Sequence, residues 1–225
     1  EIDQMYEAME ALAAATGMAV VGGDVSASPV LTVSVAITGR MAHGAQPVLR
    51  SGGCAGDLLV LTGPVGGSAA GQRILADPVL ATGAAGADHL VATHLRPTPH
   101  VADGQHLAEA GARAMLDVSD GLLMDADRLA RASGLRAEID IDAVPFPAGL
   151  DRVAAALGED PALFAATGGE DYQLLAAIPP GTGREPHLAV VGRLLAGDPG
   201  VVALRDGRDV TPARLGWEHH APHRD

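Results

Sequence analysis

The sequence of 225 residues contains no lysine, so all 15 of its basic residues are arginines. This absence excludes the GxxxxGK[ST] phosphate-binding loop and the strand lysine of protein kinases. Acidic residues number 28, and the formal net charge is −13. We therefore expect no nucleic-acid partner, because no basic patch is present to neutralise phosphates. A chain of this charge that handles phosphates needs metal ions or backbone amides to do so.

Cysteine and aromatic residues are also scarce. Cys54 is the single cysteine, which excludes an internal disulfide framework and a cysteine-rich zinc site. Aromatic residues make up 2% of the chain and apolar residues 48%, so the core must consist of alanine, valine, leucine and isoleucine. No apolar run has the length of a membrane span, and no signal peptide is recognisable. These features predict a cytoplasmic protein that does not bind membranes.

The nine histidines show no zinc-ligand spacing. His94 and His100 flank a proline-rich turn, and His219, His220 and His223 lie near the C-terminus. We interpret the C-terminal histidines as part of a frayed tail.

Hydrophobic periodicity predicts alternating strands and helices. The chain opens with a helix over 3–16 that ends at Gly17, and residues 40–56 form a loop and a possible domain junction. Predicted strands are 18–24, 30–39, 57–63, 114–118, 135–141, 172–178, 187–195 and 200–204; further helices are 64–76, 87–95, 103–112, 122–133, 149–157 and 160–166. Asp206-Gly207 is typical of a hairpin turn. The pattern predicts an α+β fold with a mixed β-sheet covered by helices.

One predicted strand ends in two carboxylates that lie very close in sequence. Asp117-Val118-Ser119-Asp120-Gly121 follows the apolar run and precedes an amphipathic segment. Like charges at this spacing repel, and a cation between them would remove that cost. Alternatively, Ser119 or Asp120 caps the following helix. The motif alone leaves both interpretations open.

Glycine-rich or acidic motifs stand at three further strand ends, where α/β proteins usually bind ligands. They are Gly22-Gly23-Asp24, Gly66-Gly67-Ser68 and Gly168-Gly169-Glu170-Asp171-Tyr172. Each one alone is also compatible with a plain turn. Together, Asp24, Asp117 and Asp120 suit Mg²⁺, which takes carboxylates and phosphate oxygens. The amides of residues 66–68 are candidates for an anion site. Arg50 is either a phosphate clamp or a solvated loop arginine.

The ordered combination of motifs resembles the thiamine-monophosphate kinase family. The segments that carry the resemblance are VVGGDVSASPVLTVSVAITG, VLRSGGCAGDLLVLTGPVGGSAAGQRIL, AMLDVSDGLLMDADRLARASG, TGGEDYQLL, VVGRLLAG and LGWEHH. They follow one another over essentially the whole chain. The wider superfamily includes aminoimidazole-ribotide synthetase and selenophosphate synthetase, and GGEDY with GWEHH points to the thiamine enzymes within it.

The resemblance implies a phosphotransferase that moves the γ-phosphoryl group of ATP to thiamine monophosphate, giving thiamine diphosphate and ADP. It implies ATP contacts by Tyr6, Gly23, Asp24, Arg50 and Ser119. It implies Mg²⁺ ligation by Asp24, Asp117 and Asp120, and acceptor contacts by Glu170 and Trp217. No catalytic side chain beyond these metal and phosphate ligands is implied. The expected partners are thus ATP, Mg²⁺ and thiamine monophosphate.

The resemblance also implies a domain division. Residues 1–45 would be the end of an N-terminal α/β domain for ATP binding and dimerisation, and 46–225 a synthetase-like C-terminal domain. The rest of the N-terminal domain would be missing from this chain, which would impair its activity, and the complete protein would be a homodimer. Two alternatives stay open: a superfamily member with another acceptor, and a non-catalytic nucleotide-binding or assembly module.

Overall fold

The computed structural model describes residues 2–41, 44, 46–182 and 188–218. Its helices are α1 (Ile2–Ala15), α2 (Gly67–Ala76), α3 (Ala87–Leu95), α4 (Val101–Glu109), α5 (Leu122–Ser133), α6 (Leu150–Leu157) and α7 (Pro161–Thr167). Its strands are β1 (Leu58–Leu61), β2 (Ala114–Asp117), β3 (Arg136–Asp140), β4 (Leu174–Ile178), β5 (Ala189–Leu195), β6 (Gly200–Arg205) and β7 (Arg208–Asp209). The predicted mixed sheet with covering helices is confirmed.

The strands of the described part form one seven-stranded sheet in the order β2-β4-β1-β5-β3-β6-β7. The β3–β6 pair is parallel, and the other neighbouring pairs are antiparallel. Strands β6 and β7 form a hairpin whose turn residues Asp206 and Gly207 have φ angles of 50° and 74°. This conformation is the one that Asp-Gly favours between two strands, so the predicted turn is confirmed.

Helices pack on both faces of the sheet. Leu175 and Ala177 of β4 face the large core, together with side chains from α2, α5, α6 and α7. Ala176 and Ile178 of the same strand face a smaller cluster that contains Leu107 of α4. Successive side chains of a strand point to opposite faces, so a strand buried on both faces is apolar throughout. This is why β4 reads as an uninterrupted apolar run.

The chain divides into two compact units, residues 1–47 and 48–225. The first contains α1, followed by an extended segment without regular structure. The predicted strands 18–24 and 30–39 are wrong: the described residues of this segment form no strand, and Val21 and Leu31 are more than nine-tenths exposed. An apolar alternation is sufficient for a strand only when a neighbouring strand accepts its backbone hydrogen bonds.

Most predicted bounds in the second unit agree with the structure to within a few residues. Helix α5 matches the prediction for 122–133 at both ends, and it ends at Gly134, whose φ is 68°. Residue 187 of one predicted strand and the histidines at 219, 220 and 223 lie outside the described residues. No helix in the described ranges combines the length and the apolar character needed to cross a bilayer.

Candidate functional site

Three chain segments meet at one edge of the sheet. Strand β4 pairs antiparallel with both β2 and β1, so its first residues lie beside the last residues of those strands. Asp117 pairs with Leu174, and Leu61 pairs with Leu175. The loop 118–121 after β2, the loop 168–173 before β4 and the start of α2 after β1 therefore share this edge.

Backbone hydrogen bonds join the two loops. The amide of Tyr172 donates to the carbonyl of Val118 at 2.9 Å, and the amide of Glu170 donates to the carbonyl of Ser119 at 2.8 Å. Glu170 and Tyr172 hold left-handed backbones with φ of 64° and 55°. Residues other than glycine occupy this region at an energetic cost, which is common at functional sites.

Asp125 holds the loop 118–121 from inside α5. Its buried carboxylate accepts hydrogen bonds from the amides of Ser119 at 3.0 Å and Asp120 at 2.9 Å. Burial raises the pKa of Asp125, and the amides and the Arg128 guanidinium partly offset that rise. The residue at the helix N-cap is Gly121, without a side-chain cap. Capping by Ser119 or Asp120 is therefore wrong, because Gly121 occupies the N-cap position and no side chain in the described ranges accepts from the amides of the first helical turn there.

The start of α2 is occupied by a carboxylate of the chain itself. The buried side chain of Asp171 accepts from the amides of Gly66 at 2.5 Å and Ser68 at 3.0 Å. The expectation that amides of residues 66–68 bind a ligand anion is thus wrong. An intramolecular carboxylate fills the site that the helix dipole favours for an anion.

A pocket of about 440 Å³ opens beside these loops. Four predicted site residues line it, namely Ser119, Asp120, Glu170 and Trp217, together with Ser68, His94 and Tyr172. The amide of Trp217 donates to the carbonyl of Asp120 at 2.8 Å, which ties the aromatic residue to the loop after β2. The guanidinium of Arg214 lies 5.7 Å from the centre of the indole ring, in cation–π range.

Negative charge dominates one side of this pocket. The pKa of the Tyr172 phenol is raised by burial and then by the charges of Glu170, Asp117 and Asp120. These three carboxylates therefore act on one side chain, although Asp117 is exposed and does not line the pocket itself. The Asp120 carboxylate accepts from the Arg128 guanidinium at 2.5 Å. The arrangement attracts cations.

The donor set suits Mg²⁺ rather than a transition metal. Asp117 and Asp120 offer hard carboxylate oxygens, and Mg²⁺ is often held by one or two carboxylates plus phosphate oxygens and waters. Among the described residues, no group of three or more histidine, cysteine, aspartate or glutamate side chains is close enough to form a metal site by itself. An ion held by Asp117 and Asp120 would therefore need further oxygen ligands, such as phosphate oxygens or waters.

The remaining predicted ATP contacts lie elsewhere in the chain. Within the first unit, a β-carbon added to Gly23 would lie 3.0 Å from the Tyr6 hydroxyl oxygen, so these two residues are adjacent. Asp24 accepts a hydrogen bond from the Ser26 hydroxyl at 3.0 Å. In the second unit, Arg50 is exposed and follows Leu49, whose carbonyl accepts from the amide of Met115. Arg50 does not line the pocket.

Sequence reasoning missed the residues that hold the site in place. Asp125, Arg128 and His94 were not singled out as site residues, and Asp171 was taken as part of a turn. The capping-box signal places an acidic residue three positions after the N-cap, whereas Asp125 follows Gly121 by four, so this signal does not identify it. For His94 no local signal exists, because its partner Ser68 is 26 residues away in the chain.

Comparison with known proteins adds a family and several relatives. Residues 55–204 match the family described as AIR synthase related protein, C-terminal domain. Thiamine-monophosphate kinase of Escherichia coli strain K12 is 35% identical over 213 residues, covering 91% of this chain and 64% of the relative. Thiamine-monophosphate kinase of Mycobacterium tuberculosis strain H37Rv is 38% identical over 221 residues, covering 96% of this chain and 61% of the relative. The chain thus spans less than two thirds of the length of these relatives.

A solved structure described as "AaThiL complexed with AMPPCP and TMP" superimposes on this fold with a TM-score of 0.65. It is 34% identical, and the match covers 77% of this chain and 54% of that chain.

Proposed function

Because the chain belongs to the family of AIR synthase related proteins, whose C-terminal domain matches residues 55–204, we propose that it is part of a thiamine-monophosphate kinase. The reaction transfers the γ-phosphoryl group of ATP to the phosphate of thiamine monophosphate. An oxygen of the acceptor phosphate forms a bond to the γ-phosphorus, the bond from that phosphorus to the β–γ bridging oxygen breaks, and ADP leaves. The relatives carry the same activity in their names.

The observation that carries the proposal is the pocket beside β2 and β4. It gathers an aromatic ring, a carboxylate and a hydroxyl from three distant parts of the chain, namely Trp217, Glu170 and Ser119. Thiamine monophosphate has planar rings, one of them a positively charged thiazolium, and an anionic phosphate. An indole stacks on such rings and attracts their charge, and a carboxylate adds an opposite charge.

The side chains present suit transfer between two phosphates. The acceptor phosphate is ionised at neutral pH, so no strong general base is required, and catalysis depends on positioning and on charge. Asp117 and Asp120 are the residues that would hold Mg²⁺, with Asp24 as the third proposed ligand. Bound Mg²⁺ supplies the positive charge that offsets the repulsion between the two anions. The amide of Ser119 is engaged by Asp125, so its hydroxyl is the group that remains for the nucleotide.

The proposal includes Tyr6, Gly23 and Arg50 as ATP contacts, a homodimeric complete protein and a cytoplasmic location. The resemblance of the ordered motifs supports these points. The domain division at residues 45 and 46 is likewise part of the proposal.

The test is an assay of thiamine diphosphate formation from ATP and thiamine monophosphate with Mg²⁺, run on the complete product of the gene that encodes this chain. We expect turnover by the unaltered protein and a fall in kcat of about 100-fold in Asp117→Asn, because a transition-state charge contact is lost. Asp151→Asn is the matched control, since Asp151 is exposed at the start of α6. The choice of acceptor would be overturned if the unaltered protein did not phosphorylate thiamine monophosphate but did phosphorylate AMP or another phosphorylated acceptor.

A further inference from the structure

His94 of α3 lies in the pocket although the function proposed above assigns it no role. Its Nδ1 atom is 2.9 Å from the hydroxyl oxygen of Ser68 and 4.0 Å from Oε2 of Glu170. The His94 side chain is 20% exposed, whereas that of Glu170 is 62% exposed. One ring nitrogen of a largely buried imidazole therefore faces both a fixed hydroxyl and a carboxylate that reaches into solvent.

Both the backbone amide and the side-chain hydroxyl of Ser68 are engaged by neighbouring residues. It is fully buried in the first turn of α2, and its amide donates to Oδ1 of Asp171 at 3.0 Å. Its hydroxyl contacts His94. Because Asp171 fixes Ser68 and Ser68 contacts the imidazole, the orientation of the His94 ring is set by the packing of α2 against α3.

The backbone of Glu170 is held by the fold, whereas its side chain is largely exposed. Its backbone is left-handed with φ of 64°, and its amide donates to the carbonyl of Ser119. An exposed glutamate side chain otherwise has several rotamers of similar energy, and restricting it costs entropy at the moment a ligand binds. Within the described ranges, the imidazole of His94 lies 4.0 Å from the Glu170 carboxylate, and it forms an ion pair with that carboxylate when it is protonated.

We propose that His94 is a positioning residue that holds the Glu170 carboxylate toward the cationic ring of the acceptor, with Ser68 as the group that orients the imidazole. The inference rests on the proposed function and adds a residue to the acceptor side of that site. Removing His94 leaves the carboxylate in place but allows it several orientations. The loss therefore falls on acceptor binding and not on nucleotide binding, since Glu170 is the residue assigned to the acceptor.

The geometry provides a discriminating pair of substitutions. The side-chain nitrogen of asparagine lies near the position of Nδ1 of histidine, whereas that of glutamine lies near Nε2. Since Nδ1 is the atom that faces Ser68 and Glu170, His94→Asn places a side-chain N–H donor at that position and His94→Gln does not. His89→Asn is the matched control, because His89 is an exposed histidine of the same helix and does not line this pocket.

The first measurement is the Kd of thiamine monophosphate, determined by calorimetry. It is made on the complete gene product, with KM for ATP and KM for thiamine monophosphate measured in parallel. We expect His94→Gln and His94→Ala to raise Kd and KM for the acceptor by about tenfold, as for the loss of one charge-assisted contact. KM for ATP stays unchanged, His94→Asn restores most of the affinity, and Ser68→Ala gives a smaller rise than His94→Ala.

Two results would overturn the inference. One is an acceptor Kd in His94→Ala that equals that of the unaltered protein. The other is an equal rise in KM for ATP and for the acceptor together with a lower Tm, which indicates a purely structural role. Failure of the proposed function is distinguishable, because it appears as absence of turnover in the unaltered protein. If the unaltered protein turns over thiamine monophosphate and His94→Ala binds it normally, only the proposed role of His94 is contradicted, and the proposed function stands.

Discussion

At the scale of single residues, buried carboxylates organise the site without reaching a substrate. Asp125 holds the loop that contains Ser119 and Asp120, and Asp171 holds the start of α2. Both side chains are less than 5% exposed. A buried carboxylate is costly unless backbone amides or an opposite charge compensate for its desolvation. These two aspartates have such partners, and their loss should affect the folded state before it affects chemistry.

The first prediction concerns Asp171→Asn. Both carboxylate oxygens accept from backbone amides, and a carboxamide nitrogen has no lone pair with which to accept. At pH 5, below the raised pKa of Asp171, the carboxyl and the carboxamide are both largely neutral. One buried amide would lose its partner, so we expect the free energy of unfolding at this pH to fall by about 2 kcal/mol. A thermal or urea unfolding curve measures this, with Asp151→Asn as the exposed control. Unfolding curves that coincide for the two variants would contradict the assignment.

A second prediction follows from the titration of the same group. Burial raises the pKa of Asp171 from 3.8 to about 6 in the folded state, although the amides of Ser68, Gly66 and Gly67 favour the ionised form. The folded state therefore binds the proton more tightly than the unfolded state. The stabilisation of the folded state by the protonated carboxyl of Asp171 is fully present below pH 3.8, and it is lost as the pH rises through about 6.

Unfolding measured between pH 4 and pH 7 should show this loss in the unaltered protein and not in Asp171→Asn, which lacks the titrating group. The expected difference across the window is on the order of 3 kcal/mol. Identical pH dependence in the two proteins would show that the carboxyl of Asp171 titrates normally.

At the scale of elements, the packing of α2 against α3 brings Ser68 to His94. A β-carbon at Gly71 would lie 2.1 Å from the carbonyl oxygen of Leu90. Any residue larger than glycine at this position would therefore force α2 and α3 apart. Glycine lowers the intrinsic stability of a helix interior, and a close backbone contact is a reason for its presence. The contact lies one turn from Ser68 and from His94, and it determines their separation.

The third prediction is that Gly71→Ala separates these helices. We expect a loss of about 1 to 3 kcal/mol in the free energy of unfolding, the usual effect of overpacking. Weaker binding of thiamine monophosphate should accompany it, because Ser68 no longer reaches His94. Gly39→Ala is the control, since no atom lies within 4 Å of a β-carbon placed there. Equal stability of both variants would contradict the close contact.

At the scale of the whole molecule, the net charge sets the electrostatic field that an anionic ligand meets. The net charge is −13, and Asp117, Asp120 and Glu170 all act on Tyr172 beside the pocket. A free nucleoside triphosphate is itself strongly anionic, so the electrostatic field of the protein opposes its approach. A cation that binds both the carboxylates of the protein and the phosphates of the nucleotide removes this repulsion.

The fourth prediction is therefore that ATP binding depends on Mg²⁺. We expect the Kd for ATP, measured calorimetrically on the complete gene product, to rise by about tenfold or more when EDTA replaces Mg²⁺. Potassium chloride keeps the ionic strength equal in the two buffers, so that general screening does not differ. A Kd that is the same in both buffers would exclude Asp117 and Asp120 as metal ligands.

Local sequence determined the elements whose signals are local. Helix α5 begins and ends where the amphipathic pattern and Gly134 predict, and Asp206-Gly207 forms the predicted turn because its backbone preferences need no distant partner. The acidic and glycine-rich motifs at strand ends were recognisable for the same reason, since their residue types limit what they can bind. The order of these motifs along the chain indicated the family.

Tertiary structure alone decided the rest. The apolar residues of the segments 18–24 and 30–39 predict strands, yet a strand requires hydrogen-bonding neighbours and the described residues provide none. Asp171 fills the amides of α2 from 105 residues away, and His94 meets Ser68 across 26 residues. The first contact depends on the antiparallel pairing of β4 with β1 and β2, and the second depends on the packing of α2 against α3. Residue type and spacing therefore supplied a prediction for the chemistry of the site, and packing decided which side chains hold its loops in place.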